Sequence, residues 1–449
     1  MKILFFSHYF PPEVNAPASR TFDHCARWVR EGHDVTVVTC APNCPDGVLF
    51  PGYRNRLKPQ LETIDGIRVI RTWTYLAANS GTARRIANYV SYMVSATLTS
   101  LRVARPDVII ATSPQFFCGW AGVFASWLKW APLVIEIRDI WPESIVAVGA
   151  LKEGTLLRVL EWMERRMYRS AAHIVAVGNG YKIRIQQKVN VDGRISVITN
   201  GVDLKLFTPR DADRQFLQRW NLGGKFVCSY VGTIGMAHGL EIVTEAAKIL
   251  REKGRDDITF CLVGDGASRQ RLEDEVRREG LEPLVVFAGR LPKEAMPDVL
   301  ASSGASLIHL KKCDLFEGVI PSKIFETMAM GVPIIMGVRG EARDIVASAG
   351  AGIDIEPENP VDLVHALEAL ADDPKCGQQL GQSGRDFVDE FYNRDALAMQ
   401  YLATLQAVAR RSTATSARSP AKPVAASETA ENRDPLGLDE LPGKRQVDR

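Results

Sequence analysis

The chain has 449 residues, 46% hydrophobic and 24% charged, enough to bury two substantial cores, because single domains stop growing well below this length. Its formal charge of +2 leaves little long-range field, which excludes a general nucleic-acid binder held by phosphate neutralisation. The eight cysteines are scattered without metal-knuckle or redox spacing, a pattern of a reducing cytoplasm.

The apolar run Ile3–Phe6 is far shorter than that of a signal peptide, and Ser7-His8 with Pro11-Pro12 closes it without a cleavage site. It reads as a buried first strand, Ile3–Ser7. Further strands are expected at Asp34–Thr39, Ile67–Arg71, Val108–Thr112, Leu133–Ile137, His173–Val177 and Ile195–Ile198, with helical periodicity between most of them. Ile86–Leu101 is an uncharged helical stretch with Arg84, Arg85, Arg102 and Arg105 at its ends, too short and polar to span a bilayer. Phe116–Trp130 packs aromatic residues beside Lys129. That segment has two readings, a helix buried on the sheet or one in contact with a membrane surface.

Asn200-Gly201 and Pro209 interrupt regular structure. The alternation then restarts with strands at Phe226–Val231, Ile258–Val263, Val285–Ala288, Ala305–Leu310, Pro333–Met336 and Gly352–Ile355, and helices such as Leu240–Glu252 and Arg269–Glu279. The fold class is therefore α/β, two Rossmann-like doubly wound domains. We expect domains at 1–203 and 204–385 and a C-terminal helix over 386–410 that crosses back to the first. From Arg411 the chain is poor in large apolar residues, so 411–449 is expected to be a disordered tail.

The segment from Gly318 to Pro333 carries the most chemistry. A loop leads into a helix whose first turn is expected at Pro321–Lys323. Free N–H groups, the Ser322 hydroxyl and the Lys323 cation there suit a phosphate. One turn on, Glu326 can accept hydrogen bonds from two adjacent ribose hydroxyls. The bland alternative is a capped helix with both side chains in solvent. A second loop, Gly232-Thr233-Ile234-Gly235 followed by His238-Gly239, weakens it, since glycines let backbone amides approach an anion. No Asp-x-Asp is read here as a metal-bridging motif between strands; Asp256-Asp257 and Asp372-Asp373 read as turns. No metal and no cofactor is expected.

In the first half, Asp139 follows a strand at the sheet edge where doubly wound folds place ligands, and it can orient a substrate hydroxyl or pair with an arginine. Glu143 in a Trp-Pro-Glu turn and His8 after the first strand are weaker candidates.

Five separated segments, Tyr9-Phe10-Pro11-Pro12-Glu13, Gly32-His33-Asp34-Val35, Arg138 to Ser144, Asn200 to Asp203, and Pro321-Ser322-Lys323 with Glu326, make residues 1–405 resemble retaining glycosyltransferases of family 4, the GT-B fold, in their bacterial surface-polysaccharide branch. The resemblance implies two domains facing a central cleft. The second would bind a nucleotide-sugar donor, of a UDP type, through Glu326, Lys323, Ser322, Gly232, Thr233 and Gly235, with Arg290 near the base. Ala16 would approach the donor from the first domain. That domain would hold the acceptor, near His8 and Glu143, with Asp139 joining Lys323 and Glu326 in catalysis.

The implied acceptor is a polyprenyl-diphosphate-linked or other lipid-linked saccharide at the inner face of a membrane, to which the chain would be peripheral. Nucleic acid is not a partner, and oligomeric state stays open. Against the family pattern, Gly318 stands at the first of two glutamates eight positions apart. Thr233 and His238 stand where an arginine and a lysine are frequent, and Asn15-Ala16 replaces a Gly-Gly pair. Two rivals stay open: a nucleotide-sugar epimerase of the same fold, and a non-catalytic nucleotide-sugar-binding protein.

Overall fold

The computed structural model describes the chain except residues 14, 45, 78–81, 114, 144–145, 147–153, 314–315 and 418–449. It contains two compact units, Met1–Ile198 joined by the chain from Ala398, and Thr199–Leu397.

In the first unit, β1 (Lys2–Phe6), β2 (Asp34–Cys40), β3 (Gln60–Ile64), β4 (Ile67–Thr72), β5 (Val108–Thr112), β6 (Leu133–Ile137), β7 (His173–Ala176) and β8 (Ile195–Val197) form one sheet in the order β3-β4-β2-β1-β5-β6-β7-β8. Neighbours run parallel except β3 and β4. Helices α1 (Ala16–Arg30), α2 (Thr82–Ser100), α3 (Phe116–Lys129), α4 (Thr155–Ser170) and α5 (Asn179–Lys188) connect them. Every residue of β5 and β6 is buried, Glu136 of β6 included, as happens when helices cover both faces of a parallel sheet. Strand β3 was not expected from the sequence. Asp65 (φ 48°) and Gly66 (φ 77°) make the two-residue turn with both centres left-handed that closes a tight hairpin.

The second unit has β9 (Phe226–Val231), β10 (Ile258–Val263), β11 (Val285–Gly289), β12 (Ala305–His309), β13 (Ile334–Gly337) and β14 (Gly352–Asp354), all parallel in the order β11-β10-β9-β12-β13-β14. Its helices are α6 (Arg214–Arg219), α7 (Glu241–Glu252), α8 (Arg269–Arg278), α9 (Met296–Ala301), α10 (Lys323–Ala329), α11 (Glu341–Ala349), α12 (Pro360–Asp372) and α13 (Pro374–Phe391). Alternate residues of β10 serve opposite cores: Ile258, Phe260 and Leu262 on one face, Cys261 and Val263 on the other.

Both units are doubly wound, and strand order reverses between β1 and β5 and between β9 and β12. Ligands of such folds bind outside the strand carboxyl ends at that switch point. Helix α14 (Arg394–Ala417) begins in the second unit and from Ala398 belongs to the first. There the Trp28 indole donates to the Ala398 carbonyl at 2.9 Å, and Tyr401 meets the rings of Trp28 and His24 at 5.3 and 5.4 Å.

The helix overruns Arg411, where loss of structure was expected. Its alanines add a hydrogen bond per residue at little cost once a helix is nucleated. The rest of the expected tail, 418–449, lies outside the described residues. No helix among the described residues is long and apolar enough to cross a membrane.

Candidate active site

At the switch point of the second unit the loops leaving β9 and β10 touch backbone to backbone. Gly264 has φ 149°, and a Cβ on it would lie 1.8 Å from the Gly232 carbonyl oxygen. Gly266 would meet the Ile234 oxygen at 2.5 Å in the same way. The Gly232 N–H donates to the Val263 carbonyl at 2.9 Å and the Ile234 N–H to that of Asp265, also at 2.9 Å. Gly232 itself is left-handed, φ 138°, a conformation glycine adopts without a side-chain penalty.

Lys323 reaches this loop from α10. Its ammonium stands 3.2 Å from where a Cβ on Gly232 would be and 3.8 Å from the centroid of the Tyr230 ring, a cation–π distance. Nζ is buried and has no hydrogen-bond partner. Burial, only partly offset by the charge of Glu326, lowers its pKa from the usual 10.5 to about 7. A buried cation that makes no hydrogen bond and is only partly offset by a neighbouring charge is costly unless a ligand answers it.

Glu326 lies one turn along the same helix, and burial pushes its carboxyl up, resisted by the charges of Lys293, Arg394 and Lys323. Sequence reasoning had α10 starting at Pro321. It starts at Lys323, with Ser322 as an exposed cap whose side chain makes no capping bond. The Ile324 and Phe325 N–H groups are already spent on the Pro321 and Ser322 carbonyls at 3.1 and 3.2 Å. Fewer backbone donors are free than expected, so the ammonium carries most of the attraction for an anion.

His238 closes the Gly232 loop in a turn over Met236–His238. Its Nδ1 is buried and unpartnered, and burial, then the Lys323 charge, hold its pKa at about 4, so the ring is neutral at pH 7. His309, at the end of β12, braces the turn. The Glu358 N–H donates to its Nε2 at 2.9 Å, which leaves Nδ1 protonated to donate to the His238 carbonyl at 2.6 Å. Tyr230 and His309 were not singled out in the sequence, because each reads as an ordinary strand residue.

Thr233 is exposed and its carbonyl accepts from the Tyr230 hydroxyl at 2.7 Å. A Cβ on Gly235 would meet the His238 ring and the Thr233 methyl at 3.5 Å, so these residues pack together in the loop that Lys323 reaches. Arg290 follows β11 and is exposed.

In the first unit, His8 follows β1 at the β1/β5 switch point. It is buried against the rings of Tyr9, Tyr89 and Tyr92 at 5.0, 5.3 and 4.7 Å, and burial, resisted by a hydrogen bond with Asn88, lowers its pKa to about 3. Asp139 lines a small recess with Ser113, Gln115, Trp141 and Tyr168. Glu143 is engaged by Arg184 at 3.2 Å and Lys188 at 2.7 Å, and Lys188 also binds Glu164 at 2.7 Å. Ala16 is the exposed first residue of α1, capped by the Asn15 side chain, which accepts from the Ala18 N–H at 2.9 Å. Ser144 of the Arg138–Ser144 segment lies outside the described residues.

A buried cluster stands directly before Asp139. Arg20 Nε donates to Glu136 Oε1 at 2.9 Å and Thr112 to Glu136 Oε2 at 2.7 Å. Burial opposes the charge on Glu136, yet Arg20, Arg138 and Thr112 more than offset it and leave the carboxyl below its ordinary value.

The family model for glycosyl transferases group 1 matches residues 213–387, and the model for the glycosyl transferase 4-like domain matches residues 15–201. The chain belongs to glycosyltransferase family 4. It is similar to WbjE of Pseudomonas aeruginosa, named as a glycosyltransferase, with 27% identity over 63% of this chain and 70% of that one. It is also similar to WcaI of Escherichia coli K12, named as a colanic acid biosynthesis glycosyl transferase, with 25% identity over 90% and 99%. Among solved structures, Anabaena HepE in complex with UDP covers 91% of this chain and 100% of its own at TM-score 0.66 and 18% identity.

Within this family-4 glycosyltransferase the departure at Gly318 leaves open space. No heavy atom lies within 4 Å of a Cβ there. The neighbouring Glu317 is exposed, and its carbonyl accepts from the Glu341 N–H at 3.0 Å.

Proposed function

We propose that this glycosyltransferase moves a sugar from a nucleotide-diphosphate donor, a UDP-sugar, to a lipid-linked saccharide with retention at the sugar carbon, in the synthesis of a surface polysaccharide. The observation that carries the reading is the buried, unpartnered ammonium of Lys323 above the Gly232 loop. A diphosphate supplies the missing hydrogen-bond partners and further negative charge. The names of WbjE and WcaI and the UDP bound to HepE point the same way.

In the reaction the bond from the sugar carbon to the diphosphate oxygen breaks, one to an acceptor hydroxyl oxygen forms on the same face of the ring, and the hydroxyl proton passes to the departing diphosphate. Positive charge develops on the ring and negative charge on the departing diphosphate. Lys323 neutralises the diphosphate, helped by Gly232, Thr233, Gly235 and Ser322. Glu326 grips the ribose, and Arg290 lies toward the base. Asp139 orients the acceptor hydroxyl or donor sugar, with Ala16 near the donor and His8 shaping the acceptor side. Glu143, held by two cations, acts on the acceptor through the shape of its turn.

Purified protein incubated with a radiolabelled UDP-sugar panel and bacterial lipid extract tests this. Label transferred to lipid is the expected result. Free UDP without transfer would support the epimerase, and binding without turnover the non-catalytic protein.

A further inference from the structure

The first unit carries an apolar rim that packing of its sheet does not account for. Helices α2 and α3 meet at their C-terminal ends, where Lys129 donates to the Leu101 and Val103 carbonyls at 3.2 and 2.6 Å. Arg105 donates to the Trp130 carbonyl at 2.7 Å. The rim exposes Leu98 (55%), Leu101 (52%), Trp127 (51%), Leu128 (50%) and Trp130 (80%). Trp130 is also held left-handed, φ 51°, a backbone that opposes a bulky side chain. Strain spent on presenting a bare indole to solvent points to a use for it.

Beside α2 a groove of about 740 Å³ is lined by Leu57, Trp73, Val94, Leu98, Leu101 and Arg102. The hydroxyls along it are already spent: Thr72 with Thr99 at 3.1 Å, Ser91 with Thr74 at 3.1 Å, and Ser95 on the Trp73 carbonyl. Its wall is therefore apolar, with a guanidinium at one end. The cations at these helix ends are Arg102, Arg105 and Lys129, and the nearby carboxylate in the chain, Asp107, accepts from the Lys2 N–H at 2.7 Å. Exposed tryptophans in such a cationic surround fit the headgroup layer of an anionic bilayer.

We propose that this rim docks the chain on an anionic phospholipid bilayer, with Trp127 and Trp130 in the headgroup layer. The groove takes one hydrocarbon chain, and the lipid phosphate lies beside Arg102. The lipid-linked acceptor of the proposed function gives this docking its purpose, but lipid binding is measured without sugar transfer, so the two can fail separately.

The test is co-sedimentation of the full chain with vesicles of phosphatidylcholine alone or mixed with phosphatidylglycerol, with tryptophan quenching by brominated acyl chains. Wild type is expected to bind the mixed vesicles at least tenfold more tightly than the neutral ones and to be quenched. Trp127→Ser with Trp130→Gly should lose at least tenfold in binding and most of the quenching. Glycine suits the left-handed position, so this variant should keep its melting temperature. Leu98→Asp should also weaken binding, and Arg102→Gln should reduce the preference for the anionic lipid. Equal binding by wild type and variants, no binding by wild type, or a dimer of the chain that Trp130→Gly dissolves would each overturn the proposal; the last would assign the face to a second copy.

Discussion

Two buried charge sites, one in each unit, are built on opposite principles. In the first unit, Arg20 and Arg138 surround Glu136, and each oxygen of that carboxylate has a donor. In the second unit, Lys323 is buried over Tyr230 with no hydrogen-bond partner. A buried charge answered by its neighbours belongs to the scaffold, because removing either partner strands the other. A buried charge left unanswered is held for a ligand, and the fold bears its cost between turnovers.

The largest effect should come from breaking the answered site. Glu136→Gln removes the carboxylate between two arginines and should destabilise the first unit by about 3–5 kcal/mol, read by denaturant titration. Because the Glu136 carboxyl is held low in the folded state, its contribution is present above the ordinary carboxylate pKa and is lost as pH falls through the folded value. Stability of the Gln variant should therefore depend less on pH in the acid range than that of wild type.

Breaking the unanswered site should do the reverse. Lys323→Ala and Glu326→Ala should each cut transfer at least tenfold, about 1.4 kcal/mol or more of transition-state stabilisation. The melting temperature of Lys323→Ala at pH 7 or below should not fall, since a buried charge that makes no hydrogen bond is removed. Near-normal kinetics in both variants would remove the assignment.

A smaller effect is expected in pH dependence. The Lys323 pKa of about 7 leaves the ammonium charged below that pH and increasingly neutral above it, and a bound diphosphate restores the charge. UDP affinity should fall as pH rises from about 7 to about 9, by up to about tenfold per unit, with proton uptake seen by calorimetry. Lys323→Met should abolish that slope.

The smallest effect is expected at Gly318. With nothing near its Cβ, Gly318→Glu should melt within about 1 °C of wild type, a shift well under 1 kcal/mol. A large drop would mean that the loop needs glycine after all.

The contrast between the two sites also explains what the sequence disclosed. Strands β5, β6, β9 and β10 were expected at their observed limits, because largely apolar, β-branched runs ended by polar or turn residues mark buried parallel strands. Strand β3 escaped because an edge strand is half exposed: of Gln60–Ile64, Gln60 alone is buried, so the residues carry no apolar run. The Asp65-Gly66 turn was the available signal.

Lys323 and the Gly232 loop were legible because cations and glycines are informative without their neighbours. Glu136 was not, since its partner Arg20 lies 116 positions away and a lone glutamate in a strand predicts nothing. His8 needed the same long-range knowledge, as two of its three tyrosine neighbours come from α2.

The central claim, that Lys323 is a cation kept waiting for a diphosphate, is tested most directly by a crystal structure of the protein with UDP bound. The account predicts a diphosphate oxygen at about 3 Å from the Lys323 Nζ and the ribose hydroxyls on Glu326. A diphosphate bound elsewhere, with Nζ still unpartnered above Tyr230, would contradict it.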